Sequence, residues 1–275
     1  LSLTKQKVEF AFLKCFLDWA KNIYLNFGGF VMDQFLQHGE MGEFSYFSVA
    51  HFAPIFIMFL IIFLLYRFRK QIREYKNEDM IRIILAALLL FSDSSYFWHK
   101  IYLQVAEPAN HLPITICGWA AILSAFMLLT KKQGLFDVVY FFVLAGSSNA
   151  LITSAVIMDN GPTHFRYYQF WLEHTSIFIA VFYMIFVWGY RINLKSMFRS
   201  FAVLLVLGVI ALLVNNGIEG ANYLFLATTE AGDSALNFLP ENLGLRILIM
   251  GSIITTLYIL AYLPWFFLNK KQRNV

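Results

Sequence analysis

Charge is scarce in this chain. Only 14% of its 275 residues are Asp, Glu, Lys or Arg, while 59% are hydrophobic and 18% aromatic. A mean hydropathy of +0.63 lies outside the range of soluble globular domains and inside that of polytopic membrane proteins. The net charge of +4 is modest and sits in clusters between apolar runs, so no nucleic-acid partner is implied. Two cysteines, Cys15 and Cys117, exclude a disulfide framework, and neither lies in a Cys-x-x-Cys pattern. The last apolar run contains no lysine, which excludes a retinal Schiff base. No cleavable signal peptide is expected, because the first clean apolar run begins near Phe47.

Long apolar runs dominate what is present. Seven of them lie at about 47–66, 81–106, 112–130, 135–157, 168–190, 198–214 and 245–268. Each approaches the ~20 residues needed to cross ~30 Å of hydrocarbon as a helix. Before them, Glu9, Lys14, Asp18 and Lys21 interrupt an apolar stretch, and the last three fall on one helical stripe. The expected fold class is therefore an all-α membrane protein. It is a seven-transmembrane-helix bundle with an N-terminal interfacial amphipathic helix. Its parts would be residues 1–43 as interfacial segment and linker, 44–268 as membrane domain, and 269–275 as a basic tail. Most of the 21 Lys and Arg residues fall in the segments 67–82, 131–132, 191–199 and 270–273. The positive-inside rule then places the C-terminus in the cytoplasm and the N-terminus outside.

With that topology, polar residues gather in the outer half of the bundle. His51 lies near the outer end of the first run, Cys117 at similar depth in the third and His174 slightly deeper in the fifth. His99 and Asn149 lie about two turns from the outer ends of the second and fourth. Asn215, Asn216 and Asn222 sit where the sixth emerges, and a loop over 215–244 could cover the group. On the second run Asp93, Tyr96, His99, Lys100 and Gln104 share a helical face. Polar groups at such depth face the bundle or a wet cavity. Each also has a plainer reading: a buried thiol is usually inert, and intramembrane His, Asn and Asp commonly brace helices. No metal is expected. Ser95 and His99 match the Ser-x-x-x-His of zinc-dependent seven-helix hydrolases, but no histidine follows His174 to complete the cage. One haem between His51 and His174 is the most that those residues would hold, and no cofactor is assigned.

The segments FSYFSVAHF, LPITICGWA, RYYQFWLEH and NNGIEGANYLFL, with LPWF in the last run, resemble the YwaF-like family of bacterial integral membrane proteins. The resemblance runs from about Phe44 to Phe267. It implies a bacterial cell-membrane protein, related to a eukaryotic transmembrane acyltransferase that remodels ether phospholipids. More remotely it implies kinship with membrane hydrolases of fatty-acid esters of hydroxy fatty acids. In that group an intramembrane nucleophile works with a histidine. The cysteine of its Leu-Pro-x-x-x-Cys motif falls on Cys117, and the histidine of its Phe-x-x-x-His motif on His174. Thr115 stands where the family often has histidine, and Ser154 follows Thr153 where a proline is usual.

Taken together, these features lead to a lipid acyltransferase or lipid-ester hydrolase of the outer leaflet. Cys117 would attack an ester carbonyl after His174 removes its proton. Asn222, Asn149 or Thr115 would steady the oxyanion, and His51 would orient substrate or act as a second base. Membrane phospholipid or another fatty-acyl ester would be the partner, and the oligomeric state is open. The alternatives are a small-ligand transporter or binding protein using the Asp93, His99 and Lys100 face, and a membrane protein without turnover.

Overall fold

The computed structural model describes residues 34–40, 42–154, 157–228 and 238–273. The amphipathic helix expected before the first span lies outside the described residues. Seven principal helices follow: α1 (Val49–Glu74), α2 (Glu78–Tyr102), α3 (Ile116–Thr130), α4 (Gln133–Ile152), α5 (Phe165–Phe186), α6 (Leu194–Gly217) and α7 (Leu243–Arg273). No strand occurs among the described residues. Six helices, all but α3, are long and apolar enough to cross a membrane. With 15 residues, α3 spans only ~22 Å.

Helix boundaries follow local chemistry. Ser48 caps α1 by accepting the His51 amide, and Thr115 caps α3 by accepting that of Gly118. Asn193 and Ser196 form a reciprocal capping box at the start of α6. The helices lie close to the apolar runs, except that the third starts at Ile116 rather than 112. Pro113 keeps Leu112 out of the helical region. Leu112 and Thr115 are extended, at ψ 149° and 152°, and between them the chain turns tightly over Pro113, with Ile114 N donating to Leu112 O at 2.7 Å. The second helix also stops early, at Tyr102. Gln104, expected on its polar face, lies beyond the end at φ 59°.

The centre of the bundle is α3, α4 and α5. In the membrane-crossing stretches of α4 and α5, 61% and 67% of residues are buried, against 11–22% for the other long helices. Those outer helices present Phe, Leu and Ile outward, as a lipid-facing shell requires. On α3 the buried face is made of small residues: Gly118, Ala120, Ala121, Ser124 and Ala125. Such residues let neighbouring backbones approach closely. Helix α2 packs on α3 and α5, α1 on α5, and α6 and α7 on α4. A six-residue π-helical stretch, Phe142–Ser147, interrupts α4. A Cβ on Gly146 there would lie 2.5 Å from Ile116 Cγ2, so glycine lets the first residue of α3 rest on the widened turn.

The basic loops gather at one end of the bundle and are tied together there. Glu78 accepts from Arg82 Nε at 3.0 Å, from the Tyr183 hydroxyl at 2.5 Å and from Trp188 Nε1 at 2.7 Å. Arg82 Nη1 donates to Leu128 O at 2.6 Å, which joins α2, α3 and α5. Asp137 pairs with Arg199 and accepts from Gln133, joining α4 to α6. Lys131 lies over the Trp188 ring, and Asn269 donates to Ile192 O.

Candidate functional site

The residues that the sequence singles out lie toward the opposite end. Because α3 starts at Ile116, Cys117 is the second residue of its first turn. The thiol is free and half-buried. Thr115 Oγ accepts the Gly118 amide at 3.0 Å, so that hydroxyl oxygen is committed to the cap. The amides of Ile116 and Cys117 precede the first intrahelical bond and have no backbone acceptor among the described residues. Helix N-terminal amides of this kind are ready donors to a negative oxygen.

His174 lies on α5, which packs directly on α3. Its Nδ1 is 2.8 Å from Phe170 O and donates to it, which leaves Nε2 with the lone pair. The ring is buried and stacks on Phe170 at 4.1 Å between centroids. The imidazole is thus held in one tautomer and one orientation, with its basic nitrogen free.

Asp93 lies near both helices. A Cβ on Gly118 would come 3.2 Å from Asp93 Oδ1 and 3.1 Å from Thr115 Oγ, so a larger residue there would push the carboxylate or the capping hydroxyl aside from the start of α3. Asp93 is also close enough to Glu173 for the two charges to repel. Glu173 accepts from Gln169 Nε2 at 2.7 Å. Gln169 and Ser92 exchange two bonds, from Gln169 Nε2 to Ser92 O at 3.0 Å and from Ser92 Oγ to Gln169 O at 3.1 Å. Gly118 on α3, Asp93 on α2 and Glu173 on α5 thus lie near one another, and Cys117 and His174 are the next residues to two of them along α3 and α5.

Other expected residues have different work. Phe47 N donates to His51 Nδ1 at 3.2 Å, so Nε2 donates to Leu151 O at 2.9 Å. Both His51 nitrogens are occupied, and the ring pins the start of α1 to the end of α4. His99 Nε2 donates to Leu36 O at 2.6 Å, while its buried Nδ1 has no partner. Asn149 is exposed. Asn222 closes its own loop, accepting from the amides of Ala227 and Thr228 and donating to Thr228 O. None of these four is hydrogen-bonded to Asp93, Cys117, Glu173 or His174 among the described residues.

Several neighbours escaped the sequence reading. The Tyr223 hydroxyl donates to Pro108 O at 2.6 Å and accepts from Leu112 N at 2.7 Å. Asn215 in turn holds the Tyr223 backbone by two bonds, so the loop after α6 clamps the segment that leads into Cys117. Buried Arg246 anchors the far side of that loop through Phe225 O and Pro240 O. Nothing in the sequence announced Tyr223. Arg166, Gln169 and Glu173, in contrast, follow a spacing of three and four immediately before His174. That is a legible polar face on the helix that carries the histidine. Outside the spans, His164 pairs with Glu43 at 2.8 Å and fastens the segment before α1 to the start of α5.

The sequence profile of the TMEM164 family matches residues 46–269, most of the chain, and the chain belongs to that family. The match identifies a family of transmembrane proteins and carries no statement of origin or reaction. No curated protein and no solved structure matches.

Proposed function

We propose that this member of the TMEM164 family is a lipid-active enzyme that moves or hydrolyses an acyl chain through Cys117 and His174. One observation carries the reading. A free thiol sits among unused amides in the first turn of α3, beside a packed helix whose histidine keeps its basic nitrogen free. Those are the parts that acyl transfer needs: nucleophile, oriented base and oxyanion donors. His174 Nε2 takes the thiol proton as sulfur bonds to the ester carbonyl carbon. The resulting oxyanion lies against the amides of Ile116 and Cys117. Collapse breaks the ester C–O bond, and the leaving alkoxide takes the proton back from His174. The thioester then passes its acyl group to a second hydroxyl, or to water, with His174 removing that proton in turn.

The basic end of the bundle is cytoplasmic in this reading, by the positive-inside rule. The C-terminus is then cytoplasmic, and the site opens to the outer leaflet. Seven crossings follow, with the non-helical stretch 112–115 completing the span that α3 alone is too short to make. A transport reading needs a polar path through the opposite half. There Glu78, Arg82, Asp137 and Arg199 bond to one another and to their neighbours, which favours chemistry at one surface over passage.

The test is a covalent one. Purified protein incubated with acyl-labelled phospholipid is expected to form a hydroxylamine-sensitive adduct that Cys117→Ala abolishes and His174→Gln slows. An adduct unchanged in Cys117→Ala would remove the nucleophile. Labelled-ligand flux that survives Cys117→Ala and fails in Asp93→Asn would favour transport instead.

A further inference from the structure

One to two turns outward from Asp93, two cations share one aromatic ring. Arg166 Cζ lies 4.6 Å from the Tyr96 ring centre, and Lys100 Nζ lies 5.6 Å from the same centre. The two repel one another. Neither forms an ion pair with a carboxylate among the described residues. Arg166 spends one nitrogen on Gln169 Oε1 and rests a further face on Phe170. Lys100 Nζ is 3.4 Å from His38 Nε2, and the His111 ring lies 6.0 Å from that of Tyr96. Burial, with Lys100 adding to it, pulls both His38 and His111 below the ordinary histidine range, as a locally positive environment does. The nearby acid Asp159 leans to His38 at 3.7 Å. Asp159 and Glu173 act on these cations only from beyond ion-pair distance. Half-buried positive charge without a direct partner is costly, and the donors left over on Lys100 and Arg166 point to an anion as the missing partner.

We infer that Lys100 and Arg166, backed by Tyr96, bind the phosphate of a glycerophospholipid headgroup and so position the substrate whose acyl ester meets Cys117. The register along α2 supports this. Tyr96 lies one turn and Lys100 two turns outward from Asp93, which touches Gly118. A group held by the two cations is thus ~5–10 Å nearer the membrane surface than the start of α3. That offset suits the few bonds between a lipid's phosphate and its glycerol ester carbonyls. The Tyr223 clamp on Pro108 and Leu112 fixes the wall beside His111.

The inference rests on the acyl-transfer reading for what happens to the ester, but the phosphate site itself is separable from it. Full-length protein carrying Cys117→Ala, in detergent, is titrated with lysophosphatidic acid, with monoacylglycerol of the same chain, and with inorganic phosphate. The phosphate-bearing lipid should bind roughly tenfold or more tighter than monoacylglycerol. Lys100→Gln and Arg166→Gln should each bring that preference close to parity without weakening monoacylglycerol. Arg166→Lys keeps the charge and guards against a folding defect, and melting curves check every variant. Equal affinity for the two lipids overturns the inference, as does a preference untouched by Lys100→Gln. Inorganic phosphate that binds through Lys100 while the lipids stay equal would show a free-phosphate site and overturn the headgroup assignment. A headgroup preference in a protein that never forms the Cys117 adduct would sink the acyl-transfer reading alone.

Discussion

The two ends of this bundle use charge in opposite ways. At the basic end Arg82 is 5% exposed and lies against the 8%-exposed Glu78, whose carboxylate also accepts from Tyr183 and Trp188. Charge there is paired and hydrogen-bonded, the arrangement that makes burial tolerable. At the other end, like charges are neighbours. Glu173 acts on Asp93 and Arg166 on Lys100, while the carboxylates of Glu173 and Asp159 meet neither cation within ion-pair distance. Helix packing alone would be served better by the first pattern everywhere. A fold that holds the second on the helices that carry a free thiol and a single-tautomer histidine, or on the helix packed against them, carries unmet electrostatic demand that a ligand can satisfy. Polar residues in a membrane are therefore sorted less by their depth than by whether their partners are already present.

The comparison can be broken most directly at Arg82. Arg82→Ala leaves the Glu78 charge buried and unpaired and should destabilise the protein by about 3–5 kcal/mol, read from unfolding in detergent. Lys100→Gln should leave stability unchanged or raise it. If both variants melt alike, the two ends are not different in kind. Next in size is Gly146→Ala. Its methyl would press on Ile116 Cγ2 at 2.5 Å and displace the start of α3, an overpacking cost of about 1–3 kcal/mol. Gly134→Ala, at the basic end, would meet only Arg199 Nη1 at 3.7 Å and should be silent in the same melts. Tyr223→Phe removes a hydroxyl that makes two bonds to the Pro108–Leu112 segment. A loss of about 1 kcal/mol is expected, together with faster maleimide labelling of Cys117 as that segment loosens.

The smallest effect is at His38. Its pKa in the folded protein is lowered by burial and by Lys100, so the unfolded chain binds the proton more readily. The stability that His38 contributes is fully present above its ordinary value of 6.5, erodes as pH falls below that, and levels off under the folded pKa. His38→Gln should flatten the decline in melting temperature between about pH 7 and pH 5.

Much of the fold was legible in hydropathy. The apolar runs became helices because lipid leaves the backbone no other partner than itself. Pro113 and Thr115 were legible as well, yet the third run was read as helical from 112. Their combined effect is a tight turn at Pro113 and a cap at Thr115, and it puts Cys117 in the first turn of the helix. The site was half visible. Cys117, His174 and Asp93 stood out by type and depth, and the Arg166, Gln169 and Glu173 spacing was there to be read. The use made of His51 was not. Its Nε2 meets the carbonyl of Leu151, one hundred residues along the chain, and no local pattern encodes that meeting. Asn222 looked like an amide donor for the site, but it closes its own loop through Ala227 and Thr228, because a short polar side chain bonds the nearest backbone first.

By itself the sequence determined a multi-pass helical membrane protein, the clustering of its basic loops and the small set of residues worth suspecting. Those follow from composition, periodicity and charge, which act along the chain. Which suspects face one another was decided only in three dimensions. Gly118 lets Asp93 settle over the start of α3, Gly146 lets Ile116 sit on the π-helical turn of α4, and Phe170 O fixes the His174 tautomer. These are contacts between or within packed helices, set by close approach and hydrogen-bond geometry. They separate the polar residues that complete one another from those that still lack a partner.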